Sequence, residues 1–377
     1  MDDDAARPGR LLELVRLFGK LGVIAFGGPA AHIAMTHDEV VSRRGWLDEQ
    51  RFVDLIGVTN LIPGPNSTEV VMHVGRERAG VRGLVVAGTS FVLPAAAIVL
   101  VCAMLYVRYG QSPNGQALLY GVKPVVLAII GQALLKLGRV ALRGVLLWAI
   151  GVATIVGYLA GVSEILLLVL AALIVVAVRR GRSGTGTLAM APLLALNGDQ
   201  TLGLARLFGV FVKVGALLYG SGYVLLAFLR NDLVERLGVL TNQQLLDAIA
   251  VGQFTPGPVF TTATFIGYVI AGMPGAVIAT IGIFLPSFCF VAAIGPLVDR
   301  IRSRAWTAAL LDGVNAAAVG LMAGVMVQLA SDALTDAVSI VLLLAAIVVL
   351  WRTRLNSAWL IAGGAVVGLA LGTAGQL

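Results

Sequence analysis

Charge is what this chain lacks most. Only 12% of its 377 residues are Asp, Glu, Lys or Arg, about half the share found in an average soluble domain. So few charges cannot clothe a water-exposed surface of this size. That excludes a cytosolic enzyme, a nucleic-acid binder and a disordered polymer. Cysteine is nearly absent too. Cys102 and Cys289 both lie in apolar runs, so neither a disulfide framework nor a zinc site is expected. Three histidines leave little for a metal, and no HExxH or GxSxG signature occurs. No cofactor is expected. The acidic start, Met1-Asp2-Asp3-Asp4, is followed by no short apolar core with a cleavage site, so no removable signal peptide is expected.

Apolar length is what remains. Hydrophobic residues make up 58% of the chain, and the mean hydropathy is +0.93. The net charge of +7 then reads as Lys and Arg gathered in cytoplasmic loops. Runs long enough to span a bilayer as helices lie near 11–35, 83–107, 113–138, 143–160, 163–179, 203–229, 276–298, 306–330, 337–351 and 355–375. Two further stretches, 52–79 and 245–271, are cut in the middle by Pro63-Gly64-Pro65 and Pro256-Gly257-Pro258. Each arm has about 11–13 residues, too short to cross at about 1.5 Å per residue, and proline breaks a helix. Each stretch therefore predicts a re-entrant pair of half-helices. The fold class expected is an all-α, polytopic membrane protein lying in a lipid bilayer.

The two halves repeat. Sliding the chain by 193 residues superimposes the Pro-Gly-Pro triplets and brings Phe18, Lys20, Gly22, Gly27, Asp54 and Thr68 onto Phe211, Lys213, Gly215, Gly220, Asp247 and Thr261. After one deleted residue the shift is 192, and Gly75, Gly80, Gly83, Pro94 and Gly121 fall on Gly267, Gly272, Gly275, Pro286 and Gly313. The expected organisation is an N-terminal repeat (1–180), a Gly/Ser-containing cytoplasmic linker (181–200) and a C-terminal repeat (201–377). Five spans plus one hairpin per half would invert the second repeat. Loop charge agrees. Arg76, Glu77, Arg78 and Arg82 face an uncharged 268–274, and Lys136, Arg139 and Arg143 face Asp332 and Asp336. With five spans, both termini would lie outside. Inverted repeats with broken helices at mid-membrane are the pattern of a secondary transporter.

A half-helix starting mid-membrane aims its free N–H groups and positive dipole end inward, where an anion can bind. Asn66, Ser67 and Thr68 follow the first triplet, and Thr261 and Thr262 follow the second; Asn60, Gly64, Gln253, Thr255 and Gly257 complete the hairpin turns. The plainer alternative is that the hydroxyls only cap helices. A second break, Gly27-Gly28 with Gly220 opposite, fits either an unwound binding segment or a tight helix crossing. Lys20 and Lys213, symmetry mates, could balance a dianion or snorkel to an interface. Glu69 and His73, one turn apart, are candidates for proton coupling. No metal ligand or catalytic residue is expected.

Phe26-Gly27-Gly28-Pro29, Arg43-Arg44-Gly45-Trp46-Leu47 and Asn60 to Glu69 closely resemble the chromate ion transporter (CHR) family. The second half echoes them in Gly252 to Pro258 and Thr262 to Tyr268, with Tyr219-Gly220-Ser221-Gly222 departing from Phe-Gly-Gly-Pro. The resemblance covers nearly the whole chain, as in long-chain, two-domain members. It implies export of chromate, or similar oxyanions such as sulfate, across the inner (cytoplasmic) membrane, driven by membrane potential or protons. A sulfate carrier, an anion channel and, less favoured, a membrane-embedded enzyme are the competing readings. A homodimer is compatible with the sequence; a nucleic-acid partner is not expected.

Overall fold

The structure, a computed structural model, describes residues 8–59, 62–180, 203–218, 225–294, 305–353 and 355–374. The expected linker, 181–200, lies outside them. The described residues hold helices and no strand. In the first half these are α1 (Pro8–Ile24), α2 (Gly28–His37) with a π-helical turn (Asp38–Arg43), α3 (Glu49–Thr59), α4 (Asn66–Tyr109), α5 (Pro113–Ala141), α6 (Val145–Leu159) and α7 (Glu164–Arg180). In the second half they are α8 (Leu204–Leu217), α9 (Leu225–Leu229) with a π-helical turn (Arg230–Arg236), α10 (Asn242–Phe254), α11 (Thr262–Ile294), α12 (Ala305–Ala333), α13 (Ala337–Arg352) and α14 (Ser357–Thr373). Four helical stretches, in α4, α5, α11 and α12, are long and apolar enough to cross a membrane, and α6, α13 and α14 are shorter apolar helices.

α4 is not one rod. Ala79 (φ −149°, ψ 33°) and Gly80 (φ 61°, ψ −152°) break it, and Ala271 (φ −141°, ψ 26°) and Gly272 (φ 60°, ψ −150°) break α11 alike. Only glycine adopts the second of these conformations without strain. A Cβ added to Gly75 would lie 2.3 Å from the Gly83 carbonyl oxygen, and one added to Gly267 would lie 2.3 Å from that of Gly275. Residues eight apart on a straight helix would be about 12 Å apart. The chain therefore doubles back at each break, and the arms touch backbone to backbone through facing glycines.

One residue is missing from the second hairpin, and its start accommodates the loss. Val259–Thr261 form a 3₁₀ turn ahead of α11, where the first half has regular α-helix from Asn66. Three 3₁₀ residues at about 2.0 Å rise cover the roughly 6 Å that four α residues cover.

The run 11–35 does not form the single span its hydropathy suggests. α1 stops at Ile24 and α2 starts at Gly28, across Gly27 (φ 109°) and Gly28 (φ 77°). Glu13 near the start of α1 accepts a hydrogen bond from Arg78 at 2.8 Å; Trp46, beyond α2, lies 4.9 Å beneath the same guanidinium; and Arg51 at the start of α3 pairs with Glu77. The chain thus leaves this end along α1, turns at the glycine break and is back by Trp46. It leaves again along α3 and returns at the α4 tip. The start of α1 lies beside the 76–82 tip rather than across the molecule from it, which corrects the expectation that the N-terminus faces away from that basic loop.

The halves interlock. A Cβ on Gly121 of α5 would sit 2.1 Å from the Gly364 carbonyl oxygen of α14, and one on Gly313 of α12 would sit 2.6 Å from the Ala171 carbonyl oxygen of α7. Small residues permit such close approach where lipid leaves no hydrophobic drive between helices. Trp351 and Trp359 are 74% and 73% exposed, as lipid-facing or interfacial side chains are.

Gly75→Leu and Gly267→Leu should each cost at least about 1–3 kcal/mol through overpacking and lower the melting temperature in detergent. Gly209→Leu, on α8 with nothing within 4 Å, should unfold like the parent protein. Equal melting temperatures for all three variants would refute the paired-glycine hairpin.

Candidate functional site

The two Pro-Gly-Pro turns meet the two halves crosswise. Gly64 N–H donates to the Leu218 carbonyl at 2.8 Å, and Gly257 N–H donates to the Ala25 carbonyl at 2.9 Å. Ala25 and Leu218 are themselves equivalent, each just past the first helix of its half. Each turn therefore supplies a donor to a helix end of the other half, where a carbonyl inside an apolar protein needs one. Both glycines have positive φ, 143° and 88°. A Cβ on Gly257 would lie 2.4 Å from Ala95 Cβ, whereas one on Gly64 would lie 2.1 Å from Glu69 Oε1 and 2.2 Å from Ser287 Oγ.

His32 joins this junction. Its Nε2 is 3.0 Å from the Ala25 carbonyl and its Nδ1 is 3.3 Å from Ser67 Oγ. A carbonyl can only accept, so Nε2 carries a proton, and in the neutral ring Nδ1 accepts from the Ser67 hydroxyl. The Ala25 carbonyl is thus shared between Gly257 N–H and His32. The equivalent of His32 is Leu225, so this bridge exists in one half only.

Around the turns, Asn66 opens α4 and no side chain of Pro65 or Pro258 caps the following helix. Thr68 is fully buried and its Oγ1 has no hydrogen-bond partner among the described residues. Gln253 is buried at the end of α10. Thr255, Thr261 and Thr262 give their hydroxyl protons to the backbone carbonyls of Val251, Pro258 and Val259 at 2.8, 2.7 and 2.7 Å. At the second turn, backbone N–H groups rather than these hydroxyls are the donors left for an anion. Asn60 and Gly220 lie outside the described residues.

Lys20 and Lys213 do not reach the turns as free charges. Lys20 Nζ lies 3.5 Å from Glu39 Oε1; Lys213 pairs with Asp232 and lies 3.9 Å from Glu164. Glu39 and Asp232 are equivalent under the 193-residue shift, so the ion pair is repeated along with the fold. Burial alone would raise the Glu39 carboxyl, but Arg44 and Lys20 outweigh it and hold it below the ordinary carboxylate range. The two pairs differ in exposure. The Lys20 side chain is 56% exposed and that of Lys213 is 24% exposed, with Asp232 at 6%. The shift could have found the acids, because each stands 19 residues after its lysine. Asp247 is held by Tyr106 at 2.9 Å, with Lys123 at 3.9 Å, while its mate Asp54 accepts from Gln50 at 3.2 Å.

Glu69 is fully buried, and neither carboxyl oxygen has a hydrogen-bond partner among the described residues; His73 Nε2 and Ser287 Oγ are buried and unpartnered in the same sense. Ser287 entered the site only with the structure; His32 stood out in the sequence as an ionisable group in an apolar run, but without a role there. No group of three His, Cys, Asp or Glu among the described residues could hold a metal.

A family model described as chromate transporter matches residues 12–176 and again 205–369. The chain belongs to the chromate transporter family. A chromate transport protein of Cupriavidus metallidurans is 32% identical over 95% of this chain and 92% of its own length. One of Pseudomonas aeruginosa is 33% identical over 97% and 92%, and a probable chromate transport protein of Synechococcus elongatus is 32% identical over 91% and 90%. No solved structure matches the chain. Family and apolar helices together make this an all-α membrane protein. The double match falls on the two sets of helices that carry the Gly64 and Gly257 turns.

In this family member the two lysines should behave unequally. Lys213→Gln leaves buried Asp232 with only the more distant Arg236, at 3.7 Å, and Glu164 with only Asn231, and should lower the yield of folded protein; adding Asp232→Asn should restore much of it. Lys20→Gln, at an exposed pair worth about 0–1 kcal/mol, should fold normally. Equal folded yields for the two single variants would show that the Lys213 pair stabilises nothing.

Proposed function

We propose that the chain is a secondary transporter that exports chromate from the cytoplasm across the cytoplasmic membrane and so confers chromate resistance, with sulfate and similar tetrahedral oxyanions competing for the site. Its relatives' names and the double family match support the substrate class. The observation that carries the mechanism is the reciprocal pair Gly64 to Leu218 and Gly257 to Ala25. It sets two helix starts, neither capped by a side chain, at the boundary between the halves. An oxyanion only accepts hydrogen bonds, and helix N-termini offer donors and positive dipole ends. Asn60, Asn66, Ser67, Thr68 and Gln253 are the side chains we assign to the substrate path, with the backbone around Thr255, Thr261 and Thr262 serving at the second turn and Gly27, Gly28 and Gly220 at the adjoining breaks. Glu69 and His73 are the proton-coupling candidates.

We read residues 1–180 and 201–377 as inverted repeats with the 181–200 linker between them, on their contacts rather than on an odd span count, since the turn within 11–35 leaves four spans in the first half. Contacts at both ends support this reading. The 76–82 tip of the first half meets the far part of α11, where Arg76 donates to the Val291 carbonyl at 2.7 Å, and Arg179 pairs with Asp312 at 2.7 Å. At the opposite end, Glu164 accepts from Asn231, Asn242 donates to Asp332, and Tyr120 donates to Asp336. The first end carries Arg76, Arg78, Arg82, Arg139, Arg143 and Arg179 and is the cytoplasmic one under the positive-inside rule. Pseudo-symmetry then lets the two turns exchange roles as access alternates.

Purified protein in liposomes should show saturable chromate uptake, counterflow and competition by sulfate; a channel would show no counterflow. Asn66→Ala should raise the half-saturating chromate concentration roughly 10- to 150-fold, the equivalent of about 1.5–3 kcal/mol for one neutral donor on a charged ligand. Unchanged affinity in Asn66→Ala, with normal folding, would move the site away from the first Pro-Gly-Pro turn. For topology, single cysteines in 76–82 should react only from the cytoplasmic side and those in 268–274 or 332–336 only from outside. Labelling of 76–82 and 268–274 from one face would end the inverted reading.

A further inference from the structure

The two Pro-Gly-Pro turns are alike in backbone and different in chemistry. Beside Gly257 the opposite half presents Ala95, a methyl group; beside Gly64 it presents Ser287, the residue equivalent to Ala95. Glu69 joins Ser287 there, and the corresponding stretch of the second half has Thr261 and Thr262, whose hydroxyls are already bonded to backbone. Carboxyl and hydroxyl both press into the space a Cβ on Gly64 would fill, both are fully buried, and neither has a hydrogen-bond partner among the described residues. The groups around them do not supply a counter-charge. His73 and Arg76 stand one and two turns along the same helix, and Arg76 is turned to the Val291 carbonyl. His32 on α2 is bound to Ala25 and Ser67, Arg51 on α3 to Glu77, Lys20 on α1 to Glu39 and Lys213 on α8 to Asp232. An ionised carboxylate with no cation and a single neutral hydroxyl for a donor is strongly disfavoured in an apolar interior. A protonated one needs a single acceptor, and Ser287 Oγ is there.

Resting on the transport reading above, we propose that Glu69 is the proton carrier of this transporter and that Ser287, from the other half, is its positioning residue. With the proton on, the Glu69 hydroxyl donates to Ser287 Oγ across the boundary between the halves, next to the Gly64 N–H that holds the helix end at Leu218. When the proton leaves, the carboxylate instead accepts from Ser287 and becomes a buried negative charge beside the anion path. Proton and oxyanion thus alter the same junction, and only one of the two symmetry-related turns carries the coupling.

The test uses the purified full-length protein in liposomes with a pH-sensitive dye inside, together with pH-titrated infrared difference spectra taken without chromate. The spectra should contain a carboxylic-acid C=O band that Glu69→Gln removes and Ser287→Ala moves in frequency, with Ser287→Thr restoring it. In liposomes, chromate movement by the parent protein should drive proton movement. Glu69→Gln should abolish the proton signal and flatten the pH profile while chromate counterflow persists. Ser287→Ala should shift the pH midpoint of net transport with counterflow intact, and Ser287→Thr should return it. A band that ignores both substitutions, or a Ser287→Ala pH profile identical to the parent's, overturns the proposal, as does chromate transport that depends on sodium and moves no protons. Loss of chromate counterflow by the parent protein itself would instead sink the transport reading, and the infrared bands would still decide the Glu69–Ser287 pair.

Discussion

Everything in this molecule turns on hydrogen bonds that a broken helix owes inside an apolar medium. Breaking a helix at Ala25 or Leu218 frees carbonyls, and breaking one at Pro63 or Pro256 frees N–H groups. In lipid each unsatisfied group costs several kcal/mol. The chain settles part of the debt by exchange between halves: Gly64 gives its N–H to Leu218 and Gly257 gives its N–H to Ala25. Neither half can do this alone. That explains in one stroke why the repeats come as a pair, why the triplets contain glycine, and why the breaks of the two halves fall at equivalent positions.

Under the proposed transport reading the same exchange is where the junction would change. Two backbone bonds, related by pseudo-symmetry, hold equivalent helix ends, and an anion bound at either turn would compete for the N–H groups there, giving the differential contacts that any ligand shifting a conformational equilibrium needs. The rest of the scaffold is stiff where this requires it. Facing glycines lock α4 and α11 into hairpins, and Gly121 and Gly313 lock α5 and α12 onto helices of the opposite half.

Much of this was legible in the sequence, for physical reasons. Pro-Gly-Pro inside an apolar run is a break wherever it occurs, so the turns and their arms of 11 and 13 residues, α3 and α10, were readable. The 193-residue shift read the repeat because glycine and proline mark backbone conformation directly, and the Gly80 and Gly272 dihedrals agree within 2°. Hydropathy misread 11–35, since two helices that turn back on each other are as apolar as one span; the Gly27-Gly28 break was visible, but not that the chain reverses there. Pairings across halves were beyond reach. Nothing in the sequence joins Ser287 to Glu69 or Ser67 to His32, because those contacts depend on how the halves dock. Lys20 and Lys213 illustrate the middle case. Their acids were visible at a constant spacing of 19, but a lysine in an apolar run suggests a ligand before it suggests a partner.

Those ion pairs also constrain how an anion is attracted. With Lys20 and Lys213 neutralised by Glu39 and Asp232, the charge near the turns comes from fixed dipoles. A helix N-terminus is equivalent to roughly half a positive charge, so even both starts together would offer no more than about one unit against a dianion's two. The deficit fits the carrier proposed here: a site that fully balanced its substrate would hold it, while one that undercompensates would bind only as long as donors surround the oxyanion on several sides. In that proposal a carboxylate at Glu69 would deepen the deficit and a protonated carboxyl would not, so the net charge at the Gly64 turn would follow the Glu69 proton.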